Sequence, residues 1–548
     1  MKLRKPDQEF RNPKVFYPDP KNVDLDRVLI ILFLYLKCDG TRPVTRGRPK
    51  AEFEKVDIHR TALSKLDGVE GFGEHAFIAD QWLKADIFDL VNRGQPTEAI
   101  ASLRPLHLEA HKIRVAKHCR DYNHADALYA MLEHDESTAL SELRAYLDRG
   151  RDPITRKYDG KTPLDLETLA VLKLVEELDD MKVSQDRVAP YPPTCRGQSR
   201  VLCHDVQGLL AYQDVIPRPV MIDYLKTILG LHLGLYTLRV GRQLSGWIRD
   251  RQSHPTCRAC PVYGTSSEPF AECPYKMSFT VDMGSDFRTR MAQIAQEDAA
   301  AEYGLLVELV KAIFAMNQLM AYARGENERD RSLHLPEDPF GVPSILANPP
   351  ADFEADFKAT LKEIVRLNQD DEELTPEVRA ILGAGMPSFD TLVELITHVR
   401  QKHHMTYLVQ MIDKLLQKNG PFGAVVQGRS RSNPRRFHLG GRLLEVFVQL
   451  AVLRFDEAGG EKRYYTDSLL VEDFLRWVEH RYGFVIAEAT TPTGRRPVTL
   501  DEHRAFRENV RSLKDRLREI GFYDDLSDAY NAQTVKPRYT LARQGLGS

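Results

Sequence analysis

Apolar residues recur at helical spacing along much of the first half of this chain. Phe77, Trp82, Ile87 and Leu90 lie near the period of an amphipathic helix, which Gly94 would end. The stretches ESTALSELRAYLDRG and PLDLETLAVLKLVEELDD repeat this pattern. Because such faces must be buried against one another, we predict helix-on-helix packing and a mainly α fold.

Two other stretches are apolar on nearly every side, which is typical of helices inside a protein. One is VLIILFLYL, from Val28 to Leu36, and the other is VMIDYLKTILGLHLGLYTLRVGRQLSGWIRD, residues 220–250. A helix needs about 20 apolar residues to cross a bilayer. The first run is too short for that, and we expect no membrane partner.

Proline-rich stretches separate the helical segments and predict how the chain is divided. A chain of 548 residues is too long for one compact core. SQDRVAPYPPTCRGQ and LHLPEDPFGVPSILANPP have the composition of linkers or wrapped loops. We predict an extended leader over 1–24, a helical domain over 25–183, a helical domain with a cysteine-rich loop over 195–326, a proline-rich linker over 327–350, a helical segment over 351–420 and a separate module over 421–548.

The last segment, 421–548, has the outline of a winged helix. GGRLLEVFVQLAVLRF and LLVEDFLRWVEHRYG predict two helices. A third begins at Thr499, where Glu502 completes a capping box, and ends at Gly521. The residues after it suit a small β-hairpin. Three helices followed by a hairpin predict a winged-helix-like α+β module, although other small helical domains share this outline.

The composition is that of a folded protein without a strong charge bias. Hydrophobic residues make up 42% of the chain and charged residues 28%, so most of it should fold. The net charge of -3 excludes a uniformly polycationic protein but not a local basic surface. Seven cysteines, an odd number, do not suit a disulfide framework in so long a chain, and we predict a reducing, cytoplasmic location.

The stretch HPTCRACPVYGTSSEPFAECP, residues 254–274, concentrates three of the cysteines in a turn-rich loop. Cys257 and Cys260 form a C-x2-C pair, whose spacing lets two thiolates face one ion across a tight turn, and Cys273 follows them. We predict a metal site here, in the first place a closed structural zinc site. The alternative is that all three are free thiols of a cytosolic loop.

The fourth ligand of this site is open to several candidates. His254 is the nearest in sequence, and Cys195, Cys203 and His204 lie upstream. A cysteine there would give four sulfurs, and the Cys-Pro steps of the loop raise the alternative of a 4Fe-4S cluster, because such a step closes some ferredoxin ligand runs. The predicted ligand set is Cys257, Cys260, Cys273, His254 and Cys203.

A basic loop precedes the helices of the last segment. PFGAVVQGRSRSNPRRFHLGGRLL, residues 421–444, has no acidic residue, and its Gly, Ser, Asn and Pro residues favour an exposed loop. Arginines in such a loop can neutralise phosphates, which predicts DNA as a partner. The alternative is an ordinary solvated loop. The arginines are Arg429, Arg431, Arg435, Arg436 and Arg442.

The helix after Thr499 has a basic strip beside its apolar stripe. The strip consists of Arg504, Arg507, Arg511, Lys514 and Arg518. A helix that enters a major groove has this arrangement, and we predict that Arg507 and Arg511 contact DNA. The alternative is that the i,i+4 pairs Arg504-Glu508 and Arg511-Asp515 only support an exposed helix.

The chain contains no motif that identifies a catalytic reaction. In HLEAH, His107 and His111 are four residues apart, but Glu109 is not where the zinc protease motif requires it. We predict two exposed histidines at this place.

Two acidic sites leave room for an enzyme. Asp282 and Asp286 in VDMGSDF, or the His204-Asp205 pair, suit the divalent ion of a metal-dependent nuclease or phosphohydrolase. The alternative for VDMGSDF, which we favour, is that Ser285 or Asp286 caps the following helix.

Two C-terminal stretches are RFHLGGRLLEVFVQLAVL and FRENVRSLKDRLREIGFYDDLSDAYNAQ. They resemble accessory proteins encoded in bacterial anti-phage loci, in particular those of the methylation-associated defence system. The resemblance implies a role in antiviral defence, with other proteins of the same system as partners. No functional residue is carried over from it.

Three functions are consistent with these patterns. The first is a DNA-binding accessory protein of an antiviral system that contains a structural metal site. The second is a metal-dependent nuclease or phosphohydrolase. The third is a protein-protein adaptor, in which the arginines serve only as solubilising charge.

Overall fold

Helices packed on helices make up most of the molecule, and about 51% of the chain is helical. The predicted mainly α class is therefore confirmed. The computed structural model describes residues 1–44, 66, 73–133, 137–368, 374–430, 433–458, 461–490, 496–523 and 533–543.

The helices are numbered here in chain order. The α-helices are α1 (Leu25–Lys37), α2 (Ala76–Trp82), α3 (His124–Glu133), α4 (Ala139–Leu147), α5 (Leu166–Val175), α6 (Arg196–Leu210), α7 (Arg218–Arg249), α8 (Pro255–Arg258), α9 (Arg290–Gly304), α10 (Leu306–Arg329), α11 (Phe353–Arg366), α12 (Pro376–Gly383), α13 (Ser388–Leu415), α14 (Gly441–Ala451), α15 (Val471–Tyr482) and α16 (Leu500–Glu519). Short 3-10 segments cover Pro6–Gln8, Leu108–Lys112 and Val342–Leu346.

The strands are short and form two-stranded sheets. They are β1 (Thr41–Pro43), β2 (Phe88–Val91), β3 (Ala99–Leu103), β4 (Val183–Arg187), β5 (Phe279–Thr280), β6 (Val425–Val426), β7 (Arg436–Phe437), β8 (Leu453–Ala458), β9 (Glu461–Thr466), β10 (Leu469–Leu470), β11 (Phe484–Val485) and β12 (Thr534–Val535). The pairs are β1-β4, β2-β3, β6-β7, β8-β9 and β10-β12, all antiparallel, and β5-β11, which is parallel.

The two stretches predicted to be buried helices are α1 and α7. Every residue of α1 from Val28 to Leu36 is buried, and α7 is buried along most of its length by α6, α10 and α13. A helix that packs against neighbours on several sides needs apolar residues all round, which explains the pattern in the sequence. In the described part of the chain, no helix combines the length and the hydropathy that crossing a bilayer requires.

The leader packs along the helical body. Phe10, Phe16 and Tyr17 are buried. Asn12 Nδ2 donates to Asn317 Oδ1 on α10 at 3.0 Å, and Asn317 Nδ2 donates in turn to the carbonyl of Glu9 at 2.9 Å. The extended segment predicted over 1–24 is thus attached to α10 by side-chain hydrogen bonds.

The C-terminal segment shares a core with the rest of the molecule. β11 lies parallel to β5, with Phe484 opposite Phe279, and a bridge joins Val281 to Phe437. One apolar cluster runs through these elements, from Leu3 to Val535. The predicted domain boundaries do not interrupt this core. The winged-helix-like module remains a prediction.

The capped helix of the last segment is confirmed as α16. Thr499 is its N-cap residue, and the Thr499 side chain accepts a hydrogen bond from the backbone N–H of Glu502 at 3.3 Å. Gly521 has a φ of 82°, the left-handed conformation usual after a helix end. Residues 524–532 of the predicted hairpin lie outside the described residues, and β12 pairs with β10.

The helix predicted from Phe77 to Leu90 is only partly formed. α2 ends at Trp82, a π-helical turn covers Leu83–Ile87, and Phe88–Val91 is the strand β2. Phe88 lies opposite Leu103 of β3. Cross-strand pairing therefore determines the structure of residues that have helical spacing in the sequence.

The prediction that His107 and His111 are exposed is wrong. Their exposed fractions are 0% and 1%. His107 Nδ1 accepts a hydrogen bond from the Glu109 N–H at 3.1 Å, and the His111 ring bonds to the Leu108 carbonyl at 2.8 Å. The carboxylate between them, Glu109, is buried and forms ion pairs with Lys37 and Lys112. The two histidines belong to the core.

Candidate metal centre and arginine surface

The cysteine-rich loop folds back on the N-terminus of α6. Cys257 lies in α8, Cys260 follows the C-cap residue of that helix, and Cys195 is the N-cap residue of α6. Gly197, in the first turn of α6, permits this close approach. A Cβ at this position would lie 2.8 Å from Val262 and 3.1 Å from the Cys260 sulfur.

Four cysteines line one cavity between α6, α7 and the loop. They are Cys195, Cys257, Cys260 and Cys273. The cavity has a volume of about 20 Å³. Cys195 is buried, and the three loop cysteines are partly buried. Cys195, one of the upstream candidates, is therefore the fourth cysteine of the cavity, beside the three cysteines of the loop.

Neither of the two preferred candidates for the fourth ligand lines this cavity. Cys203 lies two turns further along α6, and its thiol donates to the carbonyl of Met131 on α3 at 3.3 Å. The His254 ring instead bonds to Thr256 Oγ1 at 2.8 Å. Cys203 is excluded because its side chain is directed towards Met131 of α3, whereas Cys195 at the start of α6 lines the cavity. The one signal in the sequence was the position of Cys195 just before a helix start.

Burial keeps the thiols of Cys195 and Cys257 protonated at neutral pH. It raises the pKa of Cys195 to about 12, and the neighbouring thiols Cys273 and Cys260 add to that rise. The pKa of Cys257 is also raised to about 12, by burial first and then by Cys273 and Cys260. These mutual effects reflect the closeness of the four sulfurs. Ionisation of the set would require a bound cation.

Polar donors face the sulfurs in spite of this burial. Burial raises the pKa of Cys260, but hydrogen bonds from the backbone N–H groups of Val262 and Gly197 act in the opposite direction. Arg239 of α7 brings a guanidinium beside the Cys273 sulfur, with Nη1 at 3.9 Å. The same guanidinium stacks on the ring of Phe270, 3.6 Å from its centre. Such contacts favour thiolates over thiols.

The arrangement of the thiols is not that of ligands closed around one ion. Across the described residues, no group of three or more His, Cys, Asp or Glu side chains is placed as a set of metal ligands. The four cysteines share a cavity without meeting at a single point.

A chain of buried polar side chains leads from the cavity to Asp205. Arg239 Nε donates to Gln198 Oε1 at 3.1 Å, and Gln198 Nε2 lies 2.7 Å from His232 Nδ1. His232 Nε2 lies 2.8 Å from the carboxylate of Asp205, which Arg481 also contacts. Burial lowers the pKa of His232, so this ring stays neutral, donating to Asp205 and accepting from Gln198.

The carboxylates considered for a nuclease are engaged in internal contacts. Asp205 is fully buried and accepts hydrogen bonds from His232, Arg481 and Tyr482. Asp282 is also buried and forms an ion pair with Arg436 at 3.2 Å. These groups balance buried positive charge within the protein.

Asp286 and its neighbour Ser285 do not cap the following helix. Asp286 Oδ1 accepts from the backbone N–H of Arg288 at 2.9 Å and so shapes the turn before α9. The N-cap residue is Thr289, whose side chain accepts from the N–H of Ala292. The predicted capping role therefore belongs to a residue further along the chain.

The arginines of the 421–444 segment divide into buried and exposed ones. Arg436, only 1% exposed, donates to the carbonyls of Gly284 and Asp286, so it does not lie on the surface as predicted. Arg435 forms a two-bond ion pair with Asp413. Arg429 and Arg442 are exposed, and Arg431 lies outside the described residues.

The arginines of the basic strip on α16 are exposed, and two of them have no ion-pair partner among the described residues. Arg507 and Arg511 are exposed, and neither has an ion-pair partner among the described residues. The predicted i,i+4 pairs are replaced by i,i+3 pairs, Arg504 with Asp501 at 3.7 Å and Arg518 with Asp515 at 2.7 Å. Free arginines on an exposed helix can bind an external anion.

A further basic group lies at the C-terminal end of α16. Gly441, at the start of α14, is next to Ile520, which follows α16. Arg538 Nη2 donates to the Ile520 carbonyl at 2.9 Å, and Arg442 is the neighbour of Gly441. Arg442 and Arg538 therefore lie near the C-terminal end of α16, whereas Arg507 and Arg511 lie in its middle, and these four exposed arginines are together called the arginine surface.

These features define a mainly helical protein in which a helix cap and a loop bring four thiols together, and in which one helix carries an exposed arginine strip. The family model described as "Methylation-associated defense system protein MAD7" matches residues 5–539. The chain belongs to this family and is a component of a methylation-associated bacterial defence system. The resemblance seen in the C-terminal stretches is thereby confirmed. A search of curated proteins finds no match.

Proposed function

We propose that this family member is a DNA-binding accessory protein of its defence system and that a structural metal site holds its helical body together. The other proteins of the same system are its further partners. The observation that carries the DNA-binding part is the pair of exposed arginines on α16, Arg507 and Arg511, which have no acidic partner among the described residues.

Electrostatics support the choice of a polyanion as partner. Each arginine that neutralises a DNA phosphate releases a counterion, so affinity falls linearly with salt on logarithmic axes. Arg442 and Arg538 share Glu445, whose side chain is only 2% exposed, so this group keeps a net positive charge at the end of α16. Arg435 and Arg436 do not take part, because their guanidinium groups are occupied by Asp413 and Asp282.

The four-thiol cavity supports the metal-binding part. The site joins the N-terminus of α6, the loop that contains α8 and the side chain of Arg239 on α7. A bound metal would tie these segments together, and its removal should loosen them. A structural role fits the buried position of Cys195 better than catalysis does.

Salt-dependent DNA binding by the full chain tests the DNA-binding part. Because the 421–548 segment shares its core with the rest, the whole protein is used. In the variant R507Q/R511Q, the slope of log affinity against log salt should become shallower by about 2, since each lost phosphate contact removes about 0.9. Between 50 and 200 mM salt, this difference amounts to about a tenfold change in relative affinity.

A matched control separates position from net charge. Arg324 and Arg331 are also exposed and have no ion-pair partner among the described residues, so R324Q/R331Q removes the same charge elsewhere. The control should keep the wild-type slope. Equal slopes in both double variants, or no DNA binding by the wild type, would contradict the proposal.

The two other functions receive less support. A nuclease would need carboxylates open to a divalent ion, whereas Asp205 and Asp282 balance buried arginines. A protein-protein adaptor needs no free arginine strip. Normal binding of system partners by R507Q/R511Q, together with absent DNA binding by the wild type, would favour the adaptor.

A further inference from the structure

We propose that the four thiols of the cavity bind an iron-sulfur cluster and that Cys195 is its fourth ligand. This inference rests on the metal site of the proposed function and specifies the bound group and the full ligand set. In a 4Fe-4S cluster, each of four cysteine thiolates binds one iron. The ligands are then Cys195, Cys257, Cys260 and Cys273, all of which line the same cavity.

The spacing of the ligands favours a cluster over a single zinc ion. Structural zinc sites are commonly built from two close pairs of ligands, each pair on its own turn. This cavity has one such pair, Cys257 and Cys260, and two single cysteines from separate segments. Ligands of a cluster bind different irons, so they surround a volume and need not approach one point. The four thiols surround a cavity in this way.

Hydrogen bonds to the sulfurs support the same assignment. The Cys260 sulfur receives backbone N–H groups from Val262 and Gly197, and the Cys195 sulfur receives that of Gln198. Arg239 Nη1 lies 3.9 Å from the Cys273 sulfur. Cluster-binding thiolates are stabilised by such N–H donors, which also set the reduction potential.

One side of the cavity is apolar. Val201, Val262 and Phe270 form a small buried cluster, against which Cys260 and Cys273 pack. Low solvent exposure is a second factor that sets the potential of a cluster. Pro261 and Pro274, which follow these two cysteines, also line the cavity, and a Cys-Pro step closes the ligand run of bacterial ferredoxins.

The test is metal and sulfide analysis of the full-length protein purified without oxygen, with absorption spectra before and after dithionite. The wild type should contain about four irons and four sulfides per chain and show broad visible absorption that bleaches on reduction. C195S should lose most of the iron. C203S is the matched control, because Cys203 is also a buried cysteine of α6 but lies away from the cavity, and it should keep the wild-type spectrum.

Every other result of these measurements contradicts a particular part of the inference or of the proposed function. One zinc per chain, lost in C195S, would overturn the cluster but leave the metal site of the proposed function intact. Iron lost in C203S and kept in C195S would overturn the ligand assignment. Wild-type protein with neither metal would overturn the inference and the metal part of the proposed function together, while DNA binding is measured independently. If C195S is insoluble, the X-ray absorption spectrum of the wild-type protein still shows whether the bound metal is iron, with four sulfur ligands, or zinc.

Discussion

Asp205 balances buried charge between α6 and α15, and replacing it by asparagine should strongly destabilise the protein. Its side chain is 1% exposed and that of Arg481 is 3% exposed. The carboxylate accepts hydrogen bonds from Arg481 Nε, His232 Nε2 and Tyr482 Oη, each at 2.8 Å. Asparagine has nearly the same volume, but it is neutral and its amide NH2 would face one of these donors.

The expected loss follows from the charge that is left behind. Removing one partner of a buried ion pair leaves an uncompensated charge and costs about 3 to 5 kcal/mol. The free energy of unfolding of D205N should therefore fall by about that amount. Asp473 on α15 provides the control, because it pairs with Arg476 at the surface, and D473N should cost less than about 1 kcal/mol.

Urea unfolding, followed by circular dichroism, measures this difference. A chain of this size can unfold in more than one transition, so the transition that D205N shifts is compared with the same transition in D473N. A loss in D205N no larger than that in D473N would refute the reasoning, because it would mean that Arg481 finds another anion or water when Asp205 is neutral.

The pH dependence of unfolding gives a second measure of the same carboxylate. Burial tends to raise the pKa of Asp205, but Arg481 and His232 outweigh it and hold the pKa well below its ordinary value of 3.8. A lowered pKa in the folded state stabilises the protein above the ordinary value, and this contribution is lost as the pH falls below it. The gap between wild type and D205N should therefore narrow as the pH is lowered from about 5 towards 2.

Three further predictions concern single side chains. Burial lowers the pKa of His404 to about 3, so the wild type should lose stability as the pH falls below about 6.5. H404F should remove about 2 kcal/mol of the stability that the wild type loses between pH 7 and 5. If urea titrations gave H404F the same pH profile as the wild type, this prediction would be contradicted. Gly483 has a φ of 85°, and an added Cβ would lie 2.6 Å from the Met277 carbonyl oxygen. G483A should therefore lower the free energy of unfolding by about 1 to 3 kcal/mol, measured by thermal or urea unfolding. G304A is the control, because a Cβ at Gly304 would have no atom within 4 Å, and it should be neutral or stabilising. T499A should lower the free energy of unfolding by about 1 kcal/mol by removing the cap of α16, and T499S should restore it; equal stability of the two variants would show that the cap contributes nothing.

Local patterns predicted the helices whose backbone hydrogen bonds and apolar faces lie within one segment of the chain. The apolar run from Val28 to Leu36 and the stretch 220–250 are buried helices, and Thr499 caps α16 as its spacing to Glu502 predicts. In these cases, the hydrogen bonds and the apolar face belong to one segment. The π-helical turn and strand after Trp82 differ from the prediction, because helical spacing within one segment does not show that Phe88–Val91 pairs with the strand β3 that follows it.

For the candidate site, the sequence by itself determined the clustering of three cysteines and the basic character of two stretches. Only the tertiary structure decided that Cys195, and neither Cys203 nor His254, lies at the cavity, and that Arg436 is buried against Asp282. It also showed that Arg507 and Arg511 have no ion-pair partner within the part of the chain that is described. The physical reason is that the burial and pairing of a side chain depend on segments far away in the chain. Residue type and spacing do not carry that information.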